Sequence, residues 1–279
     1  MLFFRSQSRR VWMAFVMGVL SLAGAVGCGY DTYELRLKQT KDYYNYLEKV
    51  EANLAAKYGD GLIVLEMRVP RQFVPIPPPP RPAKREDGGE DPPPVDLRQP
   101  DYLTLNFPQL VGAWEASVEV SVAGGGRETR KAYIYALSNY WQLIGENPGE
   151  AQNFTKSLVE LIGAALEQTV NETPETEMHP KPGTYLPTAS YNVYRFKPKP
   201  ITLQDGGNAK VNYIFEVYER QNGDIQCPLV VVVPEEVDSR EKINERIPMM
   251  LDYFKPTTIP PRPGADKAAP VGANAPVAF

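Results

Sequence analysis

Cys28 closes the run Leu22-Ala23-Gly24-Ala25-Val26-Gly27-Cys28, just past a short apolar core that Arg5, Arg9 and Arg10 precede. A thiol in that place serves one kind of chemistry, and Cys28 reads as a lipid attachment site. The other candidates carry less. His179 is the one histidine and sits in Glu177-Met178-His179-Pro180, in a segment that reads as a loop, without a second histidine or a Cys-x-x-Cys spacing to build a metal site. Ser138 and Ser190 lack the Gly-x-Ser-x-Gly elbow that a serine nucleophile needs. Glu115 and Glu119 project to one side of a candidate strand, where paired carboxylates do acid–base work, but Ser117 and Ser121 share that side and make it an ordinary solvated face. Among 16 tyrosines, Tyr185, Tyr191, Tyr194, Tyr213 and Tyr218 offer either groove walls for a glycan or peptide, or cross-strand pairs and core rims. No catalytic residue, metal ligand or cofactor is assigned.

Three arginines and no acid in the first ten residues, followed by an apolar or small stretch from Val11 to Gly27, make the layout of a secretory signal. Its apolar part is shorter than the roughly 20 residues that span a bilayer, and Gly18, Gly24 and Gly27 lower its helix propensity further. Ala25, Val26 and Gly27 directly before a cysteine resemble the bacterial lipobox, with Ala25 standing where the family usually has leucine. The resemblance implies that the Cys28 thiol receives a diacylglycerol and that a peptidase removes residues 1–27. Each buried CH₂ contributes about 0.8 kcal/mol, so several chains on one cysteine hold a protein on a membrane essentially permanently. Gly29 follows, where an aspartate would resemble the inner-membrane retention signal of enteric bacteria, and the expected location is the outer membrane, facing the periplasm.

Without residues 1–27, 27 basic residues face 34 acidic ones, a net charge of −7. Basic stripes are the mark of phosphate-binding surfaces, so nucleic acid is excluded as a partner. With Cys28 acylated, Cys227 has no partner in the chain, and its place before Pro228 and Leu229–Val233 reads as a buried structural thiol.

Prolines divide the chain: 11 of 28 lie between Pro70 and Pro100, and six between Pro256 and Pro276. The segment 70–100 reads as an insert, extended at Pro75–Pro80 and solvated at Ala83–Asp91. The tail 255–279 reads as disordered. Residues 28–254 then form one domain. A helix over about Asp31–Tyr58 carries Leu37, Tyr44, Leu47, Leu54 and Tyr58 on one face, which reads as a packing face for its own domain; Glu51 at a seam position opposes a long coiled coil. Gly59-Asp60-Gly61 stops it. Leu62–Val69 reads as a strand, and Trp114–Val122 alternates apolar with polar as a half-buried strand does. Gly124-Gly125-Gly126 lacks the phosphate-loop pattern and turns the chain into a strand over Lys131–Leu137. Asn147, Pro148 and Glu150 open a helix to about Thr169 with Phe154, Leu158, Leu161, Ile162, Ala165 and Leu166 as its apolar stripe. Strands follow over Tyr191–Phe196, Val211–Arg220 and Ile225–Val233, the last two joined by Gln221-Asn222-Gly223-Asp224, which contains the hairpin signal Asn-Gly. Asp238 with Glu241 reads as a capping box for a final helix burying Ile243, Ile247, Met250, Leu251 and Phe254, with Pro248 as a kink.

This order predicts an α+β fold, an antiparallel sheet of about six strands packed with two to three helices. The order, with the segment Met67-Arg68-Val69-Pro70-Arg71-Gln72-Phe73, resembles the extrinsic photosystem II subunit (PsbP-like) fold, members of which occur as bacterial lipoproteins. The resemblance implies a fold and assigns no function. Two function classes follow. One is a membrane-tethered envelope lipoprotein that acts as a binding or scaffolding module toward an envelope protein or the cell wall. The other is a small-ligand carrier, or an enzyme whose site is assembled from residues distant in sequence.

Overall fold

Strand pairing, rather than helix propensity, decides how the chain leaves its first helix. The computed structural model describes residues 30–59, 64–80, 92, 94–122, 126–145, 148–170, 173–181, 186–197 and 212–259. Cys28 and the signal-like segment lie outside the described residues, as do Ala83–Asp91, Gly124-Gly125, Asn147, Tyr185 and residues 260–279. The chain divides into two units, Met1–Ala52 and Asn53–Phe279. Helix α1 spans Tyr30–Asn53 and stops five residues short of the expected Tyr58. Its continuation is taken up by bridges from Leu54 to Pro70 and from Tyr58 to Met67. The Tyr58 N–H donates to the Met67 carbonyl at 2.8 Å and so cannot bond within a helix. The expected packing face of α1 is also corrected. Tyr33, Leu37 and Tyr44 are exposed, and Val50 is its buried residue.

The second unit is built on a seven-stranded antiparallel sheet. Its strands are β2 (Val74–Pro75), β3 (Leu110–Val122), β4 (Gly126–Leu137), β5 (Glu175–His179), β6 (Ala189–Phe196), β7 (Tyr213–Asn222) and β8 (Ile225–Pro234). They lie in the order β2-β3-β4-β8-β7-β6-β5, two meanders that meet where β4 pairs with β8. A separate pair joins β1 (Leu65–Glu66) to β9 (Lys255–Pro256). The tail expected to be disordered from residue 255 therefore begins with a paired strand. Pro75, at the start of the proline-rich insert, stands on an edge strand, where a missing N–H breaks no ladder.

Strand β3 buries Trp114, Ala116, Val118 and Val120, as its alternation requires. All ten residues of β8 are buried, because both faces of the sheet are covered at its centre. On one face lies α4 (Ile243–Tyr253), where the Leu251 carbonyl accepts the Tyr191 hydroxyl at 2.6 Å, and Tyr58 stands edge-on to Trp114 with centroids 4.8 Å apart. On the other lie α3 (Phe154–Ala165) and the segment that carries Tyr102, whose ring meets Tyr133 and Phe215. The β7–β8 turn is Gly223-Asp224, inside the expected Gln221–Asp224 connection, and Gly223 supplies the φ of +60° that the turn demands.

The helix expected from Asn147 to Thr169 is two, α2 (Pro148–Ala151) and α3. The buried Gln226 side chain explains the break: its amide donates to the Gln152 carbonyl at 2.7 Å and accepts the Thr155 N–H at 2.9 Å, replacing the bonds a continuous helix would make. Asp238 caps a 3₁₀ turn over Ser239–Glu241 rather than α4 itself, which starts after Lys242 in the left-handed region at φ 52°. Glu241 does not complete a capping box, and its carboxylate accepts the Glu119 N–H at 3.1 Å.

Hydrogen bonds from the Arg240 side chain and backbone hold the Asp238 carboxyl down to about 2. A carboxyl lowered on folding contributes stability above its unfolded value of about 3.9, and loses it as pH falls through the folded value. Asp238→Asn should therefore lower stability at pH 7, with the gap from the parent closing near pH 2. Urea denaturation at both pH values measures it, and a gap unchanged at pH 2 would contradict the role given to Asp238.

Candidate functional site

Period-two geometry sends Tyr133 and Tyr135 of β4 to one face of the sheet, opposite Ala132, Ile134 and Ala136. Their rings lie 6.0 Å apart at 18°, and Tyr102 stacks on Tyr133 at 4.9 Å and 29°. Phe107 packs on Tyr135 from behind at 4.8 Å. Tyr133 and Tyr135, with the chain leaving β2 and the chain approaching Phe107, line a cleft of about 340 Å³. Ile76, Val95, Leu97 and Pro100 give it apolar walls; Asp96, Gln99, Asp101, Asn106 and Glu115 give it polar ones. That volume is at the lower end of small-molecule sites, about 300–1,000 Å³.

Two side-chain clamps shape the loop that makes one wall. Asp96 takes a two-pronged ion pair from Arg98, at 2.9 and 2.7 Å, as well as the Arg98 N–H at 3.0 Å. The Gln99 carboxamide accepts the Phe107 N–H at 2.6 Å and donates to the Phe107 carbonyl at 3.1 Å, imitating a strand partner. Burial raises the Asp96 carboxyl, but the hydrogen bonds and charge of Arg98 together outweigh it and hold Asp96 below its ordinary value. Glu115 pairs with Lys131 at 3.0 Å. Asp101 is exposed and makes no ion pair among the described residues.

Burial pushes both Tyr102 and Tyr135 well above the usual phenol range, so both hydroxyls keep their protons. The two oxygens are 2.9 Å apart, and either one can be the donor. Two protons serve one bond between them. The second proton has no acceptor among the described residues.

The residues singled out from sequence lie elsewhere. His179 is in a strand, not a loop: it ends β5, 3.2 Å from Glu177 and 3.9 Å from Asp252, with its ring edge-on to Tyr191. Among the described residues no cluster of His, Cys, Asp and Glu has the makings of a metal site. Cys227 is buried and donates to the Ser138 hydroxyl at 3.3 Å; burial pushes its thiol up to about 12, so both residues are structural. Glu115 and Glu119 share a face yet serve different bases, Lys131 at 3.0 Å and Arg240 at 2.8 Å. Tyr191, Tyr213 and Tyr218 are core residues rather than groove walls, and Tyr194 is half-buried.

Tyr102, Tyr133, Tyr135 and Asp101 were not singled out by sequence reasoning. The pattern Tyr133-Ile134-Tyr135 inside an expected strand holds a usable signal, two rings on one face. Nothing in the sequence marks Tyr102, whose place depends on the Gln99 clamp. No described helix is long and apolar enough to cross a membrane. Comparison of the chain with known protein families, curated proteins and solved structures finds no significant match.

Proposed function

We propose that the chain is a lipid-anchored binding module of the bacterial cell envelope, held by acyl chains on Cys28 and presenting the tyrosine-floored cleft to a ligand. The observation that carries this reading is the N-terminal arrangement, three arginines, a short apolar run and small residues ending at Cys28. The cleft gives that module a surface to bind with: its described lining sets carboxylates, carboxamides and tyrosines beside apolar walls. An acidic mature chain suits a body suspended in water beside a membrane. The test is the intact mass of protein taken from the membrane fraction. The expected species begins at Cys28 and carries diacylglycerol and further acyl mass. A species beginning at Met1, or an unmodified Cys28, overturns the proposal.

A further inference from the structure

We propose that α1 lies flat on the lipid surface, with Tyr30, Tyr33, Leu37 and Tyr44 in the headgroup layer and Arg36 and Lys41 on the lipid phosphates. This rests on the reading of Cys28 as an acylated anchor and names the surface that the adjoining helix meets.

Of the five large apolar or aromatic side chains that α1 exposes, Tyr30, Tyr33, Leu37 and Tyr44 form one stripe, and each is more than half exposed. At about 100° per residue they share an arc of about 60°, which runs about 21 Å along the helix. Leu35, the fifth, lies on the opposite side. Tyr44 keeps its exposure although its ring meets Tyr43 at 5.9 Å. Glu48 and Glu51 fall on the same arc beyond Tyr44 and end the stripe.

The length of chain between the anchor and the helix limits where the stripe can be. Cys28 is two residues before Tyr30, and two residues reach at most about 7 Å, so acyl chains on Cys28 keep the first turn of α1 within the headgroup layer. A helix standing upright from that point would leave Leu37 and Tyr44 in water, whereas a helix lying flat covers the whole stripe. Tyrosine suits this layer, since its ring is apolar and its hydroxyl stays hydrated.

The spacing of Tyr30, Leu37 and Tyr44 is also that of a coiled-coil seam, so a second copy of α1 is the competing occupant. Two chains anchored by the same end to one membrane would pair in parallel, and that register sets Arg36 of one helix against Lys41 of the other. Like charges would then meet across the seam, and Thr40 would stand within it. On a lipid surface the same two cations are complementary. Arg36 and Lys41 border the stripe on either side, where their stems cover apolar surface and their heads reach phosphate, while Asp31 and Asp42 lie on the far side. Glu34, the acid nearest the stripe, has Lys38 one turn on and Lys41 two.

The test uses the protein extracted from membranes and reconstituted into vesicles of phosphatidylethanolamine and phosphatidylglycerol whose acyl chains are brominated, since bromine quenches an indole that enters the lipid. Leu37→Trp places the probe in the stripe and Leu35→Trp places it opposite; both positions are exposed, so neither change disturbs a core. Quenching of the added fluorescence should be at least about threefold stronger for Leu37→Trp than for Leu35→Trp, with the order reversed for aqueous acrylamide. Equal quenching of the two by bromolipid overturns the surface assignment, as does a Leu37→Trp indole shielded from both quenchers, which is the signature of a helix pair. Flotation with the vesicles and the mass at Cys28 are read on the same samples. A chain that floats with an acylated Cys28 but quenches equally loses the surface assignment alone; a chain that has an unmodified Cys28 and does not float loses the anchor and the surface assignment together.

Discussion

Cys28→Ser should move the protein from the membrane fraction to the soluble or unprocessed pool. A serine hydroxyl is nearly isosteric with the thiol but is not the nucleophile that lipid transfer uses, so neither the diacylglycerol nor the cleavage that follows it should occur. The expected effect is large because the anchor is a sum over methylenes. At about 0.8 kcal/mol per CH₂, one chain gives marginal, reversible attachment, whereas two or more make it effectively permanent. No described helix can substitute for them, since none is long and apolar enough to span. Fractionation with immunodetection measures the shift, and a mass at Met1 would distinguish an uncleaved precursor from a released chain. If the serine variant is cleaved and sediments with membranes as the parent does, the tether is not on Cys28.

Asn139→Ala should cost about 2–4 kcal/mol, because two buried backbone groups and a third at the exposed Asp224 lose their partner at once. Asn139 is fully buried just past the end of β4. Its amide donates to the Ala151 carbonyl at 2.8 Å and to the Asp224 carbonyl at 2.9 Å, while its side-chain oxygen accepts the Gln226 N–H at 2.8 Å. One side chain thus ties α2, the β7–β8 turn and the start of β8 together across more than 80 residues of chain. Alanine leaves the Ala151 carbonyl and the Gln226 N–H without partners in a site with little access to water, while water can reach the Asp224 carbonyl. The midpoint should fall by roughly 10 °C for a unit of this size. Asn106→Ala, an exposed carboxamide at the cleft rim, should stay within about 0.5 kcal/mol and serves as the control. Urea denaturation reads both, and a loss below about 1 kcal/mol for Asn139→Ala would mean that these bonds do not hold the junction.

Elements whose residues alternate strongly were legible. Strand β3 buries Trp114, Ala116, Val118 and Val120 as its pattern requires, and α4 buries Ile243, Ile247, Met250 and Leu251 as their spacing requires. The mixed α+β class with an antiparallel sheet follows from the order of such elements. Strand β5 was missed because it lies at a sheet edge. Of Glu175-Thr176-Glu177-Met178-His179 only His179 is buried, so no apolar period marks it. The break between α2 and α3 escaped for another reason: the Gln226 side chain that stabilises it lies more than 70 residues downstream.

The candidate site divides in the same way. Tyr133 and Tyr135 share a face by strand geometry alone, but Tyr102 and Asp101 reach them through a loop whose shape is set by Gln99 and Phe107. No local pattern records such a clamp.

By itself, the sequence determined the acidic balance of the chain, the alternation that makes β3 half-buried and the amphipathic face of α4, since charge and period are local properties of neighbouring residues. Tertiary structure alone decided that α1 ends at Asn53, that β4 and β8 join the two meanders, and that three tyrosines converge over one cleft. Those outcomes rest on hydrogen bonds and ring contacts between residues far apart in the chain, whose free energy exceeds local propensity only once the sheet is closed.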